Sequence, residues 1–507
     1  MPTPLASAAT EPAAPFASED GAYPGAAQIL AQKGIKLVRG DGNITLADCK
    51  ADAKQIRVMT VEDPAANRAG TYCFASSAAT GLLTLELPRV FAIDAADQPL
   101  TASLTADGAT KTVTIAKDGY ASVGEGQIGG ARSTLVEIRV TGPASANAPA
   151  PSGDTTLAFA GKLTVGDSKR FCTAALVDPY WVVTAKNCFA DNPADLASVG
   201  AGAPKDKTTV TVGRTDLATS GGHTTDIIEL APHTDRDLVM ARLAKPALDV
   251  TPIALSTAPL TASEALTVAG FGRTGTEWAP SKLHSAAFSV SNIDAVGFAL
   301  TAKTPANATV CKGDAGGPAV RTENGKPALV GITSRSWQGG CLDSGQTATG
   351  AFGARIDGAQ DWIKQVRFTT ATIKNVTSNR CAWVPWQTPD SGAVVKQIDC
   401  DAKFADQLWK MEPVAGGSYQ IRNLTSNRCM WVPWQTPENG AVVKQIDCDA
   451  KFADQLWKIE PVAGGSYQIR NLTSNRCMWV PWQTPENGAV VKQIDCDAKF
   501  ADQLWKI

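Results

Sequence analysis

All-β architecture is expected from three features of this 507-residue chain. Short runs that alternate apolar and polar residues, the period-2 sign of half-buried strands, recur along its first two thirds. A 48-residue unit then closes the chain in three near-identical copies, read from Cys381, Cys429 and Cys477. Finally, 12 cysteines fall into local pairs, which favours disulfides and an oxidising compartment. The length gives a prior of three or four domains, at roughly 150 residues each. With 47 Lys+Arg against 49 Asp+Glu, the chain lacks the basic excess of a nucleic-acid binder. No apolar run approaches the ~20 residues of a membrane span. Any mechanism that needs an imidazole must draw on one of 3 histidines, His223, His233 or His284.

Residues 1–27 are rich in Ala, Pro and Ser at their start, and a disordered segment is expected there. This stretch lacks the basic n-region and apolar core of a signal peptide, so secretion would use a start or a route not visible in it. Residues 28–143 read as a small β domain, with strands at Gly42–Ala47, Gln55–Thr60, Leu82–Leu87, Lys111–Ile115 and Leu135–Val140. A short helix is expected within Ala26–Gln32. Cys49 and Cys73 are the only cysteines of this region and are expected to pair. Residues 144–154 form a Pro/Ala linker. A β-rich region over 155–367 follows, ending in a helix near Trp362–Val366.

The C-terminal part, 368–507, carries the repeats. Ile421–Ile459 and Ile469–Ile507 are identical, and Ile373–Met411 differs from them at six positions. Each copy supplies strands but cannot close a core alone, which predicts a threefold closed body. The two cysteines of each copy lie 19 residues apart, predicting disulfides Cys381–Cys400, Cys429–Cys448 and Cys477–Cys496.

The segment Phe171–Phe189, with its Cys172-led strand and Trp181-Val-Val-Thr-Ala-Lys-Asn-Cys188, resembles trypsin-like serine proteases. His233–Leu243, Ala269–Gly272, Cys311-Lys-Gly-Asp-Ala-Gly-Gly-Pro318 and Ser336-Trp-Gln-Gly-Gly-Cys341 resemble further motifs of that family in the same order. The resemblance implies two packed antiparallel β-barrels with a cleft between them, and disulfides Cys172–Cys188 and Cys311–Cys341.

A catalytic triad needs a hydroxyl nucleophile, an imidazole base and a carboxylate to orient it. Carried over by position, the carboxylate is Asp237, but the imidazole place holds Asn187 and the nucleophile place holds Ala315. His233 precedes Asp237 by four residues and has no nucleophile to activate, so it reads as a surface histidine. Asp314 matches the acid that pairs with a freed amino terminus in the family, yet no Ile-Val-Gly-Gly-type motif lies near 155–165. An unpaired buried carboxylate is costly, so Asp314 is expected to swing away or find another donor, leaving a zymogen-like loop. Thr309 stands at the floor of the specificity pocket, where no Arg/Lys-selecting acid is present. The missing activation motif, Thr309 and Lys186 point to natural loss of function rather than a laboratory knockout. The N–H groups of Gly313 and Ala315 would still point at the oxyanion position. Ser336, Trp337 and Gln338 would line a groove edge able to pair with an extended peptide.

Each repeat also carries a Gln-x-Trp (Gln407/Trp409, Gln455/Trp457, Gln503/Trp505) after Cys-x-x-Val-Pro and a turn, resembling the ricin B-type lectin repeat. That resemblance implies a β-trefoil with Trp409, Trp457 and Trp505 in its core. The family's usual sugar contacts are replaced: Trp383, Trp431 and Trp479 stand in the first position, Ile398, Ile446 and Ile494 in the stacking position, and Asp406, Asp454 and Asp502 in the third. A rearranged carbohydrate site is expected in each copy. It comprises Trp383, Trp386, Gln387 and Asp406, then Trp431, Trp434, Gln435 and Asp454, then Trp479, Trp482, Gln483 and Asp502.

The expected fold class is therefore all-β: an N-terminal small β domain, a trypsin-like double β-barrel and a C-terminal β-trefoil. The expected function is glycan binding by a secreted and catalytically inactive protease homologue, with peptide binding but no cleavage as a further use of the cleft. An active endopeptidase targeted to polysaccharide and a purely structural protein are the alternatives. No cofactor, metal site, nucleic-acid partner or membrane span is expected.

Overall fold

The computed structural model describes residues 13–507 except 51–53, 143–154, 246, 248, 368–370, 402, 415–417, 463–465 and 483–484. The linker expected at 144–154 and the site residue Gln483 lie outside the described residues. The chain divides into two compact units, one of Met1–Val177 with Trp181–Asp357, the other of Asp178–Tyr180 with Gly358–Ile507.

In the first unit, two five-stranded sheets share one core. One has the order Lys36–Gly40, Thr80–Pro88, Thr134–Thr141, Leu100–Ala106, Ala109–Ile115; the other runs Ile44–Ala47, Thr71–Ser76, Ile56–Thr60, Val90–Asp94, Tyr120–Ser122. Leu37, Leu83, Leu85, Leu135 and Ile138 from the first sheet and Ile44, Val58, Phe74 and Ile93 from the second are all buried in that core. Alternation explains it: in Ile56–Thr60 the residues Ile56, Val58 and Thr60 face inward while Arg57 and Met59 are half-buried. The Cys49–Cys73 bridge closes this region, and a helix spans Ala26–Lys33.

Two barrels complete the unit. The first is closed in the order Ala160–Val165, Arg170–Asp178, Trp181–Thr184, Val239–Leu243, His223–Pro232, Thr208–Val212. The second runs Lys326–Ser336, Pro318–Glu323, Ala265–Gly270, His284–Ile293, Gly297–Thr304, Ala351–Arg355, and pairing of its first and last strands closes it. Disulfides Cys172–Cys188 and Cys311–Cys341 hold the ends of the motif-bearing segments.

The expectation of disorder through residue 27 fails from residue 13 onward. Phe16, Glu19 and Ala22 form antiparallel bridges to Arg335, Phe171 and Arg39. Composition misleads here because the order comes from backbone donors and acceptors, which every residue carries.

The second unit is a trefoil. Its threefold closure is visible in a ring of backbone bonds, each 2.9 Å: Val395 N–H to Val443 O, Val443 N–H to Val491 O, and Val491 N–H to Val395 O. Trp409, Trp457 and Trp505 are fully buried beside Ile421, Ile469 and the valines of that ring. Each indole N–H is satisfied by a carbonyl, of Ala382, Met430 and Met478 at 2.8, 3.0 and 3.0 Å. The three intra-repeat disulfides form as spaced. Among the described residues no helix is long and apolar enough to cross a membrane.

Candidate functional site

Asn187 sits in a short 3-10 turn, Lys186–Cys188, directly after the strand Trp181–Thr184. Asp237 lies just before the neighbouring strand, Val239–Leu243, which pairs with it. The pairing brings the two side chains together. Asp237 accepts the Asn187 backbone N–H at 2.8 Å, its side-chain amide at 2.6 Å, and the Ser334 hydroxyl at 2.5 Å. An imidazole could receive this same orientation, but an amide cannot act as a base near neutral pH. The amide oxygen of Asn187 is buried without a hydrogen-bond partner.

Ala315 is fully buried in the loop that follows Cys311. Gly313 in that loop has φ 97°, a left-handed conformation that favours glycine, and it turns its N–H into the cleft. The Gly313 and Ala315 N–H groups converge on one oxygen, at 2.6 and 3.2 Å. The loop is therefore not in the collapsed, zymogen-like arrangement expected from the missing activation motif. The reason is that Asp314 has other donors: the Gly272 and Cys311 N–H groups at 2.8 Å each, and His284 Nε2 at 3.2 Å.

Burial opposes a charge on His284, but Asp314 outweighs it and the pKa of the imidazole is raised above its ordinary value. A raised folded-state pKa stabilises the fold below about pH 6.5, and that contribution is lost as pH rises through the raised value. Urea midpoints are therefore expected to fall from pH 6 to pH 9 in the native sequence and to fall less in His284→Gln. Parallel profiles would remove the pair from the account of loop stability.

The other two histidines do different work. His233 Nδ1 accepts the N–H groups of Asp235 and Arg236 at 3.1 and 3.3 Å, holding a turn, and His223 Nε2 contacts the Lys245 carbonyl at 2.8 Å. Lys186 reaches the His233 carbonyl at 2.7 Å, and burial lowers its pKa. Thr309 is half-buried against the Cys341 sulfur. Of the expected groove-edge residues, Trp337 and Gln338 give their N–H groups to Gly350 O at 3.1 Å and Ser336 Oγ at 2.9 Å within the chain's own turn, so the backbone edge facing the cleft is Ser334–Ser336, which includes the expected Ser336.

In the trefoil, the structure brings Trp383 and Asp406 together. The indole N–H donates to Asp406 Oδ2 at 2.7 Å, and the same bond at 2.8 Å joins Trp431 to Asp454 and Trp479 to Asp502. All three carboxylates are buried, and Oδ1 of Asp406 and of Asp454 has no hydrogen-bond partner. Trp386, Trp434 and Trp482 stand out in solvent, 64%, 64% and 62% exposed. Gln387 and Gln435 beside them are exposed as well. Sequence reasoning missed Phe404, Phe452 and Phe500, which are 58%, 57% and 56% exposed. Val384 N–H bonds Asp406 O at 3.3 Å, and Trp386 and Phe404 each lie two residues from that crossing. Every repeat thus presents two exposed aromatics near one buried carboxylate. Among the described residues no cluster of His, Cys, Asp or Glu is arranged to hold a metal ion.

The first unit thus has the double-barrel architecture of a chymotrypsin-like protein and the second that of a threefold lectin-like body. Family comparison agrees: residues 147–363 match the Trypsin family and residues 369–505 match the ricin-type beta-trefoil lectin domain. The chain carries one domain of each kind. Among solved structures it is similar to ThreeFoil, a designed 3-fold symmetric protein, at 20% identity over 27% of this chain and 96% of that one, with a TM-score of 0.26. No curated protein matches the chain.

Proposed function

We propose that this is a secreted carbohydrate-binding protein whose trypsin-like domain performs no hydrolysis. The observation that carries the glycan reading is the threefold set of exposed tryptophans beside buried Trp–Asp pairs. A flat indole stacks on the apolar face of a pyranose, and the exposed side-chain amides of Gln387 and Gln435 beside it offer hydrogen bonds to the hydroxyls. Three copies on one rigid body favour a polymer over a free sugar, because the second and third contacts become intramolecular. Loss of hydrolysis follows from a nucleophile place with no hydroxyl and a base place with an amide. Six disulfides support an extracellular setting.

Pull-down of the full chain on a panel of insoluble polysaccharides tests the reading. At least one polymer is expected to retain the protein, and Trp386→Ala with Trp434→Ala, which removes two of the three exposed indoles, is expected to weaken retention by about tenfold or more. Retention on none of the polymers would leave the trefoil as a packing domain.

A further inference from the structure

The oxygen on which Gly313 and Ala315 converge belongs to this chain: it is the carbonyl of Ala17. Around it, residues 15–19 are laid along both sides of the cleft. Ala17 N–H donates to Ser334 O at 2.9 Å, and Ser336 N–H donates to Pro15 O at 3.0 Å. Beyond position 315, Glu19 N–H donates to Phe171 O at 2.9 Å and Phe171 N–H donates to Glu19 O at 3.0 Å. Ala17 is fully buried, with Ser18 and Glu19 only 6% and 4% exposed.

Side chains add selectivity to this backbone pairing. The Arg335 guanidinium stacks over Phe16 at 4.0 Å from the ring centroid. Arg273 Nη2 donates to Glu19 Oε1 at 2.7 Å, its Nε also pairs with Glu19, and both side chains are buried. Arg273 reaches the Ala22 carbonyl at 2.9 Å too, while Lys312 pairs with Asp20 at 2.9 Å. The segment is then anchored to the small β domain by Tyr23, whose N–H donates to Val38 O at 3.1 Å and whose hydroxyl accepts the Leu46 N–H at 2.7 Å.

We propose that the protease-like cleft is a peptide-recognition groove and that residues 15–19 are its resident, autoinhibitory ligand. The groove reads an extended strand by β-addition. It takes a small residue at the Ala17 place, an aromatic one residue before it over Arg335, and an acid two residues after it against Arg273. While the chain's own segment is seated, every one of these donors and acceptors is used, so a second peptide of that chemistry is excluded until the segment leaves. The small β domain acquires a role in this account: it holds the competitor at high effective concentration. The proposal does not rest on the glycan reading.

The test uses the full chain, its Glu19→Arg variant, which sets like charges against each other at Arg273, and Ala17→Pro, which removes the donor to Ser334. The probe is a fluorescein-labelled peptide of residues 13–22, Ala-Ala-Pro-Phe-Ala-Ser-Glu-Asp-Gly-Ala, followed by anisotropy, with a scrambled peptide as control. At least tenfold tighter binding to both variants than to the native chain is expected. Hydrogen exchange on the same samples should show the Phe171 and Ser336 amides opening at least tenfold faster in the variants. Exchange along the first-barrel strand Val239–Leu243 should stay unchanged, which reports on folding of the unit that holds the cleft. Equal binding to all three proteins, binding to none, or unchanged exchange at Phe171 and Ser336 overturns the proposal.

Discussion

Restoring both missing groups at once, Asn187→His with Ala315→Ser, is expected to make the chain cut itself between Ala17 and Ser18. The parts are in place for it. Asp237 already receives a backbone N–H at 2.8 Å and a side-chain donor at 2.6 Å from position 187, the contacts that would fix an imidazole and its tautomer. The Ala17 carbonyl already sits on two N–H donors, one of them from residue 315 itself. In the double variant the hydroxyl introduced at position 315 passes its proton to the imidazole introduced at position 187 and attacks the Ala17 carbonyl carbon. The imidazolium then protonates the Ser18 nitrogen as the peptide bond breaks, and water releases the acyl group as the Ala17 carboxylate. Two polypeptides result, ending at Ala17 and beginning at Ser18, and intact mass with amino-terminal sequencing detects both. Loss of one triad member costs roughly four orders of magnitude in rate and the losses are not additive, so each single variant is expected to remain whole. A folded double variant that stays uncut, and that spares an added Pro-Phe-Ala-Ser-Glu peptide, would mean that the cleft no longer presents a carbonyl to position 315.

What the sequence made legible, and what it did not, divides along a physical line. Groups whose chemistry is local could be read: cysteine pairs, the Asp237 and Asn187 positions, the Gln-x-Trp tryptophans. The seating of residues 15–19 could not, because its bonds are made by backbone atoms to partners more than 150 residues away, and composition carries no trace of them. In the small β domain, Tyr120–Ser122 is too short to show a period, and Leu100–Ala106 dilutes its alternation with Thr, Ala and Ser. Phe404 illustrates the opposite failure. An isolated phenylalanine between Lys403 and Ala405 reads as core by default, yet it is 58% exposed. His284 gave no signal either, since its partner Asp314 comes 30 residues later on another strand connection.

The nine tryptophans of the trefoil supply the second large effect, because one substitution type should have opposite consequences at two sets of positions. Trp409, Trp457 and Trp505 are fully buried, and each gives its indole N–H to a carbonyl. Trp457→Ala empties the largest side chain from the core and leaves Met430 O without that donor, costing about 3–5 kcal/mol. For a unit of this size the shift in the trefoil's melting temperature is on the order of 10 °C. Trp434→Ala removes a side chain that is 64% exposed and should change stability by no more than about 0.5 kcal/mol. Binding should sort the other way. Replacing Trp386, Trp434 and Trp482 together removes the stacking surface from all three copies, so affinity for a retained polysaccharide should fall by about 10²–10⁴, the scale of lost multivalency. One replacement alone should cost less, because two copies still engage the same polymer. The same contrast separates a lectin from a packing domain with a lectin's fold. If the exposed tryptophans proved as costly to stability as the buried ones, they would belong to the trefoil's structure, and the glycan reading would lose the feature that carries it.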